Sequence, residues 1–295
     1  MDRTTGTDDA DPACPSHDTR IVRIDAAGLA DAERSIGGGV SLWVECPAHL
    51  LVSDPPSDYP PGNSQGSHPI LPTRPHDAGR CVIRAIHKAS DAPPPALPRP
   101  DAVLDRAGCV LIPGLVNAHS HLDLTAVGPR AHDPDRGFVE WIRMVIMERP
   151  TDTAAIRAAI ADGIAVSLAG GVVAVGDIIG AAGGVPHTAG LGALAESPLE
   201  GIGYIEYFGI AVRKVLGISV LHDLAHEIAA WPTSARIRPG LHPHAPNTVS
   251  LPLYEESVRI AERDGFPIST HLAESPEERR FIAEADGPQR DLLER

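Results

Sequence analysis

The chain is short of lysine. Its 295 residues hold only Lys88 and Lys214, and arginine carries the rest of the positive charge. The formal net charge is −14, with no basic patch to offset it. A surface this acidic repels phosphate backbones, which argues against nucleic acid as a partner. No window comes near eighteen uninterrupted apolar residues, so no membrane span is expected. The N-terminus, MDRTTGTDDADPACPSHD, has neither a basic start nor an apolar core, so a secretory leader is not expected either. The four cysteines are Cys14, Cys46, Cys81 and Cys109, and none stand in CxxC spacing. They read as free, mostly buried thiols of a reducing, cytoplasmic compartment. A disulfide framework or a cysteine zinc site fits them poorly.

What the chain does have is 43% hydrophobic residues, enough for a sizeable core. Residues 1–19 read as a disordered tail. From 20 to 109 the pattern is short β-like pieces, IVRI (21–24), VSLWVE (40–45) and CVIRAI (81–86). They are separated by stretches too rich in Pro, Gly and Ser to pack, at 53–79 and 93–100.

From 110 to 295 strand-like runs alternate with helical ones. VLIPGLVNAH (110–119) reads as a strand, and Ile156, Ile160 and Ile164 mark one face of a helix over 151–168. GVVAVGDI (171–178), GIGYIEYFGI (201–210) and ARIRPGLHPHA (235–245) follow as strands. Helices are expected near 211–230 and from Ser250 to about Arg263. FPISTHLAE (266–274) reads as a fifth strand. After it, Ser275-Pro276-Glu277-Glu278 has the form of a capping box with proline at the first helical position, and the last residues read as helical. Repeated strand–helix units imply a parallel sheet flanked by helices. About five units are present, against the eight of a closed (β/α)8 barrel.

Histidines mark the strand ends. His119 and His121 are two apart, so on a strand they share a face. Two imidazoles at one strand end can share a divalent ion, but the spacing alone fits hydrogen-bonded histidines as well. His271 ends another strand, with Glu274 three residues on. That glutamate could serve proton transfer or simply the next helix N-terminus. His242 and His244 end a third strand, or lie in a polar loop. HDLAH (222–226) looks like a zinc-protease helix. Its middle acid is Asp223 rather than glutamate, so it reads as a solvated helix face. GAAGG (180–184) lacks phosphate-loop spacing and reads as a loop.

LIPGLVNAHSHLDLT (111–125), FVEWI (138–142), HPHAPNTVS (242–250) and THLAESPEE (270–278) together resemble the amidohydrolase superfamily. The likeness is to its cytosine-deaminase/chlorohydrolase-like branch of metal-dependent deaminases, and it covers about Cys81 to Arg295. The resemblance implies part of a (β/α)8 TIM-like barrel over 110–295, preceded over 20–109 by part of a small β-sandwich. It implies that His119, His121 and His271 hold one divalent ion, Zn²⁺ ahead of Fe²⁺. It makes Glu274 the proton shuttle and turns His244 towards substrate. Asn247 departs from the aromatic residue expected after HAP. The absence of lysine on the strand at 235–244 favours one ion over two.

A further family histidine and aspartate belong to later strands, which suggests the N-terminal portion of a longer protein. The expected function is hydrolysis of a non-peptide C–N bond: deamination of an amino-substituted N-heterocycle such as a nucleobase, a nucleoside or an aminodeoxyfutalosine-like compound. Chlorohydrolase or cyclic-amide chemistry and an inactive remnant are the alternatives. The expected partner is a small-molecule substrate. A homodimer is compatible with the resemblance.

Overall fold

A computed structural model describes residues 19–31, 33–47, 81–88, 90–91, 97–130, 136–209, 217–232 and 236–294. The expected N-terminal tail up to residue 18, the proline-rich stretch at 53–79 and Cys14 lie outside these residues. The chain divides into two compact units between Pro113 and Gly114.

The first unit is a four-stranded sheet. β1 (Thr19–Ala30), β2 (Ser35–Pro47), β3 (Val82–Lys88) and β4 (Ala102–Leu111) stand in the order β3-β2-β1-β4. β1 pairs antiparallel with β2 and parallel with β4, while β2 pairs antiparallel with β3. Its buried residues include Ile21, Val22, Val40, Leu42, Trp43 and Cys46. The first three strands were legible as short apolar runs, but β4 was not. Asp105, Arg106 and Gly108 interrupt it, and most of its residues are exposed. Cys81 and Cys109 are exposed, contrary to the expectation of mostly buried thiols; among the described cysteines only Cys46 is buried.

The run at 110–119, read as one strand, is two pieces of different sheets. β4 ends at Leu111 and β5 (Leu115–Ser120) opens the second unit. Pro113, between them, has no backbone donor, which suits a break between strands.

The second unit is built on a parallel sheet in the order β5-β6-β7-β8. Its other strands are β6 (Val172–Ile179), β7 (Glu200–Tyr207) and β8 (Ile237–Pro243). Helices follow the strands: α1 (Gly137–Glu148), α2 (Thr153–Ala169), α3 (Ala189–Ala195), α4 (Ile218–Ala229), α5 (Leu251–Asp264), α6 (Pro276–Glu284) and α7 (Pro288–Leu293). Ile156, Ile160 and Ile164 of α2 are buried together with Val175, Ile179, Leu191, Ile205, Leu224, Leu241 and Ile260 in one apolar core. Near-continuous apolar strands are what a parallel sheet covered by helices requires.

The fifth strand is reduced to a single parallel bridge, Leu241 to Ile268. The Leu241 amide donates to Pro267 O at 2.9 Å, and the Ser269 amide donates to Leu241 O at 3.0 Å. Gly240 permits this approach, because a Cβ there would stand 2.9 Å from Pro267 O and 2.7 Å from the Tyr204 ring. The HDLAH segment lies on α4 with His222 and His226 exposed, a solvated face as read from sequence.

Candidate metal and substrate site

The polar residues of the second unit gather at the carboxyl ends of its strands, where parallel α/β sheets carry their ligands. His119 lies at the end of β5 and His121 just past it. Glu206 sits near the end of β7, directly in register with His242 on β8. His244 follows β8. His271 lies past the Ile268 bridge, where its amide donates to His244 O at 2.7 Å.

Three of these histidines converge. The ring centroids of His119 and His121 are 5.3 Å apart, those of His119 and His271 5.0 Å, and those of His121 and His271 5.2 Å. One nitrogen from each lies within 4.8 Å of the other two. Burial, the largest influence, holds His119 below the usual histidine range and takes His121 down to about 3. Both rings are therefore neutral at pH 7, the state a metal needs. Nδ1 of His121 is buried without a protein partner. Converging neutral imidazoles, one with an unspent buried nitrogen, fit a divalent ion by both chemistry and placement.

Glu274 Oε1 stands 3.8 Å from His271 Nδ1. Its position is set by α6. Ser275 caps that helix, its hydroxyl accepting from the Glu278 amide at 3.1 Å. Glu278 does not close the expected box onto Ser275. Its carboxylate accepts from the Ala273 amide at 3.1 Å and the Glu274 amide at 2.6 Å. Ala273 takes a positive φ of 60° in that turn, a conformation uncommon outside glycine. Partial burial raises the Glu274 carboxyl above its usual range.

His244 shares a 2.7 Å hydrogen bond between Nδ1 and Thr248 Oγ1, and its ring lies 5.0 Å from that of His271. Burial takes it down to about 4. His242 is fully buried, 4.4 Å ring to ring from His271, and neither of its nitrogens has a protein partner. Asn247, the departure from the family pattern, donates from Nδ2 to Gln289 Oε1 of α7 at 2.8 Å.

Sequence reading missed a buried charge network beside these rings. Arg149 grips Asp123 through Nε at 2.6 Å and Nη2 at 3.2 Å, and reaches Glu206 Oε2 through Nη1 at 3.4 Å. The same Glu206 oxygen accepts from the Ala181 amide at 3.3 Å. The other, Oε1, faces His271 Nε2 at 3.7 Å and His244 Nε2 at 3.9 Å. Burial opposes ionisation of Glu206, but the neighbouring His271 ring and the Arg149 charge outweigh it and hold the carboxyl below its usual range. Glu206, His244 and His271 form a second group whose ligand atoms approach within 4.8 Å. Arg149 stands 3.4 Å from Glu206, so a cation on that group would meet a fixed positive charge, which makes it less suited to a metal than the three histidines.

Gly180 makes room for the guanidinium: a Cβ there would lie 1.6 Å from an Arg149 nitrogen. The sequence did carry a signal for this network. Glu206 is the lone charge in GIGYIEYFGI, and a charge inside a buried strand needs a partner.

A cavity of about 540 Å³ opens above these groups. His121, Arg149, Glu206, His244, His271 and Glu274 line it on the polar side, with Trp141 and Phe208 among its apolar walls. An apolar pocket with a few convergent polar groups is the usual form of a small-molecule site.

Residues 110–293 match the amidohydrolase family model. An aminodeoxyfutalosine deaminase from Deinococcus radiodurans is 33% identical over 195 residues, covering 64% of this chain and 43% of that protein. A 5-methylthioadenosine/S-adenosylhomocysteine deaminase from Natronomonas pharaonis is 31% identical over 183 residues, covering 60% of this chain and 41% of that protein. The chain thus spans about two-fifths of the length of these relatives. Among solved structures, an aminofutalosine deaminase from Helicobacter pylori superposes with a TM-score of 0.60 at 17% identity, over 93% of this chain and 55% of that one. A zinc-bound adenosine deaminase from Xanthomonas campestris gives 0.58 at 18%, over 92% and 54%. At these identities the structural likeness speaks for the fold alone.

Proposed function

The chain belongs to the amidohydrolase family, and on that premise we propose that it serves a metal-dependent hydrolase that deaminates an amino-substituted N-heterocycle. The single observation that carries this reading is the convergence of His119, His121 and His271 with Glu274 beside His271, at a cavity that His121, His271 and Glu274 line. The sequence relatives named as deaminases of nucleosides and nucleoside-like compounds put a nucleoside-type substrate first. In this reading the parallel sheet is an arc of a (β/α)8 barrel and the N-terminal sheet is part of a small β-sandwich. The substrate partner is a small molecule. No helix among the described residues is long and apolar enough to cross a membrane.

His119, His121 and His271 would hold one divalent ion, Zn²⁺ ahead of Fe²⁺. Such an ion, when bound, lowers the pKa of water from about 15.7 towards about 7 and so supplies a nucleophile at neutral pH. Partial burial raises the Glu274 carboxyl above its usual range, which favours the protonated form a general acid needs. It would donate its proton to a ring nitrogen as the amine-bearing carbon is attacked, take one back from the hydroxyl added to that carbon, and pass it to the departing amine. His244, fixed through Nδ1 by Thr248, presents its ring to the cavity and orients the heterocycle. Trp141 and Phe208 exclude water from the faces of the ring.

Ammonia release from adenine nucleosides by the metal-loaded protein tests the proposal. Glu274→Gln is expected to retain the metal and lose about 10²-fold or more in turnover, as loss of a general acid–base does. Near-normal turnover in that variant refutes the proton-shuttle role.

A further inference from the structure

Cys46 and Cys81 meet across the edge of the N-terminal sheet. β2 and β3 run antiparallel with Glu45 opposite Val82. The next residues outward are Cys46 and Cys81, so the register sets them face to face. Cys81 is exposed and Cys46 is buried. Opposed residues of an antiparallel pair have Cα atoms about 4.5 or 5.5 Å apart, according to the pair type. Both values fall inside the span of about 4.4–6.8 Å that a disulfide bridges.

We infer that Cys46 and Cys81 are an oxidisable thiol pair, closing to an intramolecular disulfide by exchange with a low-molecular-weight disulfide. Closure pins the start of edge strand β3 to β2 and ties residues 47–80 into a covalent loop.

The two thiols have distinct roles. Burial pushes the Cys46 thiol up to about 12, and its hydrogen bond to Cys81 adds to this. It therefore stays protonated while the pair is reduced, and entry is at exposed Cys81. The Cys81 thiolate attacks one sulfur of the small disulfide. That S–S bond breaks, and the leaving thiolate takes up a proton to become a free thiol. Cys46 then loses its proton, and its sulfur attacks the Cys81 sulfur of the mixed disulfide. The second small thiol leaves, carrying that proton. Two protein thiols are oxidised by two electrons, and one small disulfide is reduced to two thiols. In a cell poised by reduced glutathione the pair stays open. Cys109 supplies an internal control. It is exposed too, but β4 lies at the opposite edge of the sheet from β3, and its neighbour β1 carries no cysteine.

The test is oxidised glutathione added to the purified chain at mildly alkaline pH. Alkylation of the remaining thiols and peptide mapping without reductant follow. The expected result is loss of the Cys46 and Cys81 thiols together, with their peptides joined, while Cys109 goes no further than a mixed disulfide. In Cys81→Ser, a change at an exposed site, Cys46 is expected to stay free. Three outcomes overturn the inference: Cys81 held as a glutathione mixed disulfide beside alkylated Cys46, Cys81 joined to Cys109, or Cys46 oxidised equally well in Cys81→Ser. The result is independent of the catalytic reading, because neither cysteine lies among the cavity residues.

Discussion

Replacing Arg149 with methionine removes the positive centre of the buried network and keeps most of the side-chain volume. The Arg149 side chain is 14% exposed, Asp123 4% and Glu206 2%. Water therefore does not screen the loss. Removing one partner of a buried ion pair costs about 3–5 kcal/mol, because an uncompensated charge is left behind. Here two carboxylates lose their counter-charge, so Arg149→Met is expected to fall at the upper end of that range. That is a large share of the roughly 5–15 kcal/mol that holds a typical domain folded. The assay is urea unfolding followed by circular dichroism, with the m-value checked for two-state behaviour. Asp123→Asn in the Arg149→Met background removes one orphaned charge. It is expected to recover about 0.5–3 kcal/mol, the usual coupling of contacting residues. A cost for Arg149→Met below about 1 kcal/mol, within the range of exposed pairs, refutes the view that this network is dry.

Two further predictions concern neighbours of Arg149. Gly180→Ala puts a methyl group where the Arg149 guanidinium lies. It is expected to destabilise by about 1–3 kcal/mol, as overpacking does, and to cost much less in an Arg149→Met background; equal costs in the two backgrounds contradict the steric account. Asp177 on β6 is fully buried and accepts from the Leu122 amide at 2.9 Å and from Ser120 Oγ at 3.1 Å. Burial, reinforced by the charge of Asp123, raises its carboxyl from 3.8 to about 7. The folded state thus holds this proton more tightly than the unfolded chain does. Its contribution to stability is complete below the ordinary carboxyl range and is lost as pH rises through about 7. Metal-free protein should be less stable at pH 8 than at pH 5, losing on the order of 1.4 kcal/mol for each pH unit crossed below the folded-state value. Asp177→Asn should flatten that difference, and an unchanged slope assigns it to other groups.

The legible parts of the fold share one property: a period set by burial. β6 and β7 read as near-continuous apolar runs because their buried residues lie on both faces, and α2 read through its isoleucines four apart. β4 escaped because its exposed residues need no apolar pattern. The strand expected at 266–274 shrank to a bridge because its chain leaves β8 after Ser269 and turns to bring His271 against His244. At the site, His119, His121, His244, His271 and Glu274 were legible from strand-end spacing and from the family resemblance. Arg149 was not, because its partners Asp123 and Glu206 are 26 and 57 residues away along the chain. Arg149 precedes Pro150, which disfavours helical backbone at the residue before it. Arg149 accordingly takes ψ 134°, and α1 ends at Glu148. Sequence could place that helix stop, but the ion partners follow only from the fold.

The most direct test of the site is a zinc titration of the metal-stripped chain against a chromophoric chelator. It is run on the native sequence and on His119→Ala, His121→Ala and His271→Ala. The account predicts one tightly held ion per chain and a loss of affinity of at least about 10-fold in each variant, or about 1.4 kcal/mol. Zinc binding that survives unchanged in all three, or no tight binding in the native chain, would contradict it.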